Sequence, residues 1–322
     1  MHEGMRSKPR QPSEGLDARP VPVHRSALQL WARRWGINAG LLFILPALLI
    51  YAGVVLYPLL DMFYLSTFSW DGLSPIKTFV GLSNFQQLAS DPIFLVTLRN
   101  AGIWVVANVG CGILIGLALA LLVNQHLRGT TIFRTIYFLP VTVSVVVVGQ
   151  IWGWIYQGDV GALNNYLGSI GLDGLKRDWL GDPTLAIYSA AVVSLWAGVG
   201  FSMMVYLAGL QTIPGEILEA AQVDGATAWQ RLRTITLPLL LPQTMTLSIL
   251  GVIGTLSQFT LLYVLTEGGP AYQSELPSVF VFHQAFVFSQ QGYASAISVV
   301  IFVASLIITV VQLQFYRRYQ GY

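Results

Sequence analysis

The chain has 322 residues, of which 54% are hydrophobic and only 10% are charged. Soluble domains carry about 25% charged residues, so a water-facing surface cannot be covered here, and most of the chain faces lipid or the interior of a helix bundle. The net charge of +2 is spread along the chain rather than gathered in one patch, which gives no footprint for nucleic acid. The single cysteine, Cys111, lies in an apolar run. That excludes intrachain disulfides and cysteine-cluster metal sites and leaves the thiol a packing role.

Residues 1–36 read as a basic cytoplasmic tail. They contain Arg6, Lys8, Arg10, Arg19, Arg25, Arg33 and Arg34, with prolines at 9, 12, 20 and 22. The apolar run that follows is too long for a cleavable signal peptide. The segment Ser26–Trp35, with Leu28, Leu30, Trp31 and Trp35, suits either a short interfacial helix or a linker resting on the headgroups. A helix needs roughly 20 apolar residues to cross the hydrocarbon core. Six stretches qualify: Ile37–Leu60, Ala101–Val123, Thr135–Tyr156, Thr184–Leu210, Leu239–Tyr263 and Tyr293–Phe315. None contains Asp, Glu, Lys or Arg, and each must be helical to satisfy its backbone in lipid. With the N-terminus inside, thirteen basic residues fall on cytoplasmic pieces. Only four, Lys77, Arg99, Lys176 and Arg177, are external. The positive-inside rule therefore places both termini in the cytoplasm. Two external loops, 157–183 and 264–292, are long enough to hold structure of their own.

The cytoplasmic stretch Ile213–Pro238 carries the most local information. Pro214, Glu216 and Glu219 suit the start of a helix, Ile217, Leu218, Ala220, Ala221 and Val223 give it an apolar side, and Gly225 suits its end. Thr227 with Gln230 is a capping box opening a second helix. The expectation is helix, sharp glycine turn, helix.

These residues also carry a family likeness. Glu219-Ala220-Ala221, Gly225, and then Ile235, Leu237 and Pro238 resemble the EAA loop of permease subunits of bacterial ATP-binding-cassette importers. Further stretches resemble the sugar branch of that family, of maltose type and glycerol 3-phosphate type. They are Phe79-Val80-Gly81-Leu82, Arg134 through Pro140, Trp179 through Pro183, Leu265 through Pro270 and Gly292 through Ala296. The resemblance covers about residues 37–318. It implies an all-α polytopic fold, the six-helix type I importer permease, as one transmembrane domain in the inner membrane. It further implies a second homologous permease, two ATP-binding subunits and an extracytoplasmic solute-binding protein as partners. In the family the first helix of the loop docks on the ATPase, which implies that contact for Glu219, Ala220, Ala221, Asp224 and Gly225.

The chain offers no ATP cradle of its own: its lysines, Lys8, Lys77 and Lys176, do not follow a glycine as a P-loop requires. The histidines His2, His24, His126 and His283 are not in ligand spacing. No cofactor, metal site or catalytic constellation is expected, so the chain reads as a translocation subunit rather than an enzyme. A neutral sugar needs hydrogen-bonding and aromatic groups. The spans supply Ser194, Trp196, Gly198, Phe201 and Ser202 in the fourth, and Thr255, Ser257 and Gln258 in the fifth. Such groups mark a pathway or glue helices together. In the maltose-type permeases the pocket lies on the two spans flanking the loop, which by position implies Ser194, Gly198, Phe201, Thr255 and Gln258. Serine and threonine stand here where amides are found there, leaving open the sugar and which permease of the pair holds the site. Gln258, in the external half of the fifth span, is expected to share a helix face with Thr255 and Leu262. A glycerol 3-phosphate importer is the alternative within transport, although the spans lack basic groups. An ion-coupled transporter would call for intramembrane carboxylates and inverted repeats.

Overall fold

A computed structural model of the protein describes residues 39–125 and 129–320. The basic tail and the stretch Ser26–Trp35 lie outside the described residues. The chain divides into two units, residues 1–58 and 59–322. The first holds α1 (Ala39–Tyr51) and a π-helical turn (Ala52–Leu56), and the boundary falls within the next helix, α2 (Tyr57–Leu65). The large side chains of the first unit, Phe43, Leu49 and Val54 among them, are exposed and apolar, as a helix immersed in hydrocarbon requires.

In the second unit, α2 is followed by a short antiparallel hairpin, β1 (Phe68–Ser69) against β2 (Thr78–Phe79), and by α3 (Ser83–Ser90). Asp91 then caps α4 (Pro92–Trp104), accepting from the amides of Ile93 at 2.8 Å and Phe94 at 3.3 Å. A π turn (Val105–Cys111) joins α4 to α5 (Gly112–Val123). The second span therefore starts at Pro92 rather than Ala101, and it contains Arg99. The first span, Leu41–Leu65, likewise contains Asp61. A strictly charge-free window underestimates helices that run on past the hydrocarbon.

The third predicted span is two helices. α6 (Thr130–Phe138) ends in a 3₁₀ turn at Leu139–Thr142, and α7 (Val145–Tyr156) leaves at 98°. Pro140 cannot donate a backbone hydrogen bond, and Val143 and Ser144 are extended, with ψ of 138° and 133°. After α8 (Ala162–Ser169) in the first long loop, the fourth span is the unbroken α9 (Ala186–Leu210). The next loop holds α10 (Gly215–Val223) and α11 (Ala228–Arg231).

The fifth predicted span, Leu239–Tyr263, is also broken. From α11 a π turn (Leu232–Thr236) and α12 (Leu237–Leu239) lead to a 60° bend at Leu240, where α13 (Leu241–Leu256) begins. Pro238 and Pro242 flank this bend. α13 stops at Ser257, and only after Phe259 does α14 (Thr260–Thr266) resume. The expectation that Thr255, Gln258 and Leu262 share one helix face is thus overturned, because the break between Leu256 and Thr260 destroys the 3.6-residue period. α15 (Pro277–Phe282), extended by a π turn (His283–Val287), and the long α16 (Gln291–Gln320) complete the chain.

Among the described residues, four helices are long and apolar enough to span a membrane. They are Leu41–Leu65, Pro92–Val123, Ala186–Leu210 and Gln291–Arg317. Counting each bent pair as one span makes six. Within the second unit, α9 forms the centre of the packing. Gly116 of α5 lies against Ser202 and Met203, and Gly200 lies against the backbone of Tyr137 and Phe138, so a Cβ at either glycine would collide. Close backbone approach through small residues is how helices associate where lipid removes the hydrophobic drive. Ala120, Met203, Tyr206 and Leu207 fill the same seam, and the Tyr206 hydroxyl reaches Thr244 of α13 at 2.8 Å.

Candidate functional site

The two breaks in the spans meet. A cavity of about 210 Å³ is lined from one side by Pro140, Val143 and Val145, which flank the bend of the third span. From the other sides it is lined by Ser194, Ala197 and Gly198 of α9, and by Gln258 and Leu261 at the break of the fifth span. Irregular backbone at membrane depth is tolerated only where protein buries it or a cavity receives it. Both irregular stretches, residues 143–144 and 257–259, border this one. Ser194 and Gly198 are one helical turn apart and present the same strip. Gly198 has nothing within 4 Å of where a side chain would begin, so the strip is open there. Neither the Ser194 hydroxyl nor the Gln258 amide group makes a hydrogen bond among the described residues, which leaves both available to a polar guest.

Two of the five pathway residues singled out from sequence are placed elsewhere. Thr255 is 2% exposed, and its hydroxyl donates to the carbonyl of Gly251 at 2.9 Å within its own helix. Phe201, a turn beyond Gly198, is exposed and does not border the cavity. Trp196 joins an aromatic series instead: its ring meets Trp152 edge-on at 5.5 Å, Trp152 meets Tyr156 at 5.2 Å, and Tyr156 meets Trp179 at 6.1 Å. Reading the sequence missed the contribution of Pro140, Val143 and Val145. The signal was present, since a proline followed by a run of β-branched residues disfavours a continuous helix.

The loop helix is a second feature built from local rules. α10 ends in a Schellman motif: Gly225 sits at φ +80°, its amide donates to Gln222 O at 3.1 Å, and the Ala226 amide donates to Ala221 O at 2.9 Å. Thr227 and Gln230 form the expected capping box at the start of α11. Arg231 donates to the Gln222 side chain at 2.8 Å, tying the two helices together. No residue of α10 is buried; Val223 is 88% exposed and Trp229 66%. Glu219, Ala220, Ala221, Asp224 and Gly225 all lie on this uncovered unit. An apolar side chain left in the open outside the spans, as Val223 is, suits a surface that another protein covers.

The described residues thus form a helical bundle with interrupted spans around a shared cavity and an exposed helical loop. The chain belongs to the family of binding-protein-dependent transport system inner membrane components, which it matches over residues 112–321. A probable ABC transporter permease of Bacillus subtilis (strain 168), YurN, is 39% identical over 282 residues, 86% of this chain and 95% of that one. The lactose transport system permease LacF of Rhizobium radiobacter is 35% identical over 296 residues, 91% of this chain and 96% of that one. Among solved structures, a bacterial alginate ABC transporter in complex with alginate pentasaccharide-bound periplasmic protein matches with a TM-score of 0.77 at 23% identity. The match covers 90% of this chain and 97% of that one. The predicted fold class, an all-α polytopic permease, is therefore the observed one.

Proposed function

We propose that this chain is the translocation subunit of an ATP-driven importer and that it forms, with a second permease, the pathway for a neutral sugar or oligosaccharide. The single observation that carries this is the convergence of the two broken spans on a cavity offering the Ser194 hydroxyl, the open strip at Gly198 and the Gln258 amide. An amide supplies both a donor and an acceptor to a sugar hydroxyl. The cavity has no lysine or arginine in its lining, which disfavours the phosphate-bearing substrates of the glycerol 3-phosphate branch. The lactose permease relative supports a disaccharide-sized solute, and the alginate transporter with its loaded periplasmic protein supports delivery by a solute-binding protein. ATP is hydrolysed on two separate subunits that dock at Glu219, Ala220, Ala221, Asp224 and Gly225. Their closure moves that loop and reorients the spans by alternating access. The chain itself binds no cofactor and catalyses no reaction, and both termini lie in the cytoplasm.

The test is Gln258→Leu in the assembled transporter, with uptake measured for lactose, maltose and trehalose. A pathway residue lowers uptake or changes which sugar is preferred while the amount of complex stays constant. Loss of complex would instead make Gln258 an interhelical tie. Unchanged uptake, preference and complex would remove it from the pathway.

A further inference from the structure

The break that brings Gln258 to the cavity frees a backbone carbonyl, and that carbonyl is not left to chance. In an uninterrupted helix, Gln258 O would accept from the amide of Leu262, four residues on. Here its donor is the hydroxyl of Ser278, at 2.6 Å, and no backbone amide reaches it among the described residues. Ser278 follows Pro277 in the first turn of α15, a helix that is firmly held. Val279 and Phe280 are fully buried. The preceding turn is clamped from the second span by Asn100, whose amide donates to the carbonyls of Gln273 and Glu275, each at 3.0 Å. Glu275, fully buried, shares a 2.6 Å hydrogen bond with Nδ1 of His283 at the other end of α15. Three rings close around the break: Phe259 stacks on Tyr263 at 5.0 Å, and Phe282 of α15 lies 5.2 Å from Phe259 and 5.1 Å from Tyr263.

We infer that Ser278 is a positioning residue for the pathway: by holding the Gln258 carbonyl it fixes the backbone at the break and so aims the Gln258 amide into the cavity. This rests on the reading of that cavity as the pathway. Without the hydroxyl, the Gln258 peptide has a half-buried acceptor with no protein donor, and the unit can rotate to find another. Ser278 itself is not among the residues that line the cavity, and its hydroxyl reaches that surface through the Gln258 carbonyl.

The test uses thiol labelling in the assembled transporter, with Cys111→Ala removing the native cysteine. Gln258→Cys reports the break, and Ser194→Cys, on the intact α9 across the cavity, serves as control. Rates are measured with a charged methanethiosulfonate reagent. Ser278→Ala is expected to change the rate at position 258 by about threefold or more, the scale of one net hydrogen bond. The rate at position 194 stays as it was, and Ser278→Thr, which keeps the hydroxyl, restores the original rate at 258. An unchanged rate at 258, or equal changes at both positions, overturns the inference, the second outcome meaning general loosening. If the charged reagent reaches neither position in any background, the pathway reading fails. The same ratio read with a membrane-permeant maleimide then still decides the role of Ser278.

Discussion

Two helical segments between spans, the α10–α11 loop and the turn leading into α15, solve the same problem in opposite ways. Both reverse the chain at glycines held at positive φ, Gly225 in one and Gly268 in the other. The α10–α11 loop is assembled from bonds between residues no more than nine apart, and none of α10 is buried. The turn of residues 266–276 is held by Asn100, more than 170 positions away in sequence, and Ser274, Glu275 and Leu276 are completely buried. A unit closed by its own caps can be pushed as a rigid piece. A unit closed by distant side chains reports on the packing of the spans that hold it.

The sharpest separation between the two is topological. A reporter fused after Gln230 is expected on the cytoplasmic side and one fused after Leu172 on the external side. The reverse at either position would undo the assignment of the exposed loop to the ATPase side.

Within the exposed loop, Gly225→Val forces a β-branched residue into the left-handed region, at about 1–2 kcal/mol, and breaks the Schellman turn without touching any span. Transport is expected to fall at least about tenfold with the protein still present in the membrane, because strain there misdirects α10 rather than unfolding the bundle. Uptake assayed beside membrane abundance decides it, and normal transport would refute a coupling role for the loop. In the same loop, Ala220→Cys should crosslink to the ATPase subunit.

The buried turn should respond in stability instead. Asn100→Leu strands the carbonyls of Gln273 and Glu275 in a buried site, which costs roughly 1–3 kcal/mol. Faster amide hydrogen exchange confined to residues 266–276 is the expected signature. Exchange that stays slow would mean the clamp lies elsewhere.

That comparison also marks what could be read from sequence. The α10–α11 loop was legible residue by residue, since caps, glycine turns and capping boxes act over a few positions. The six apolar runs were legible because hydrocarbon demands them. The breaks were not. Ser257-Gln258-Phe259 has no proline or glycine, and the groups that hold its interruption, Ser278 and the Phe282 ring, come from α15. Thr255 looked equivalent to Gln258 in spacing, yet it faces its own helix, because the period that linked them ends between them. The clamp of Asn100 on the turn was likewise invisible, as nothing local distinguishes it from Asn108.

The smallest expected effect is a pH dependence peculiar to the buried turn. Burial, and then the nearby Asp91 charge, push the Glu275 carboxyl from its ordinary 4.5 up to about 8. Between these values the folded turn keeps a proton that the unfolded chain has released. The Glu275 contribution to stability is therefore full in acid, falls as pH rises through that window, and falls no further above it. The transporter is expected to melt at a lower Tm at about pH 9 than at about pH 6, and Glu275→Gln should flatten this difference. An equal slope in the Glu275→Gln variant would place the titration elsewhere.

The two glycine crossings on α9 have a mechanical consequence. At Gly116 and at Gly200, backbone lies directly against its neighbour, with no side chain between to flex or change rotamer. Such a contact resists sliding and twisting, because any shift along it drives atoms already touching into one another. α9, α5 and the bend of the third span therefore act as one stiff frame. The fifth span is held by side chains instead, at Leu240 by its own buried side chain against Met203 and Tyr206 and at the gap of residues 257–259 by the Ser278 hydroxyl, so its contacts are the ones a change of rotamer can alter.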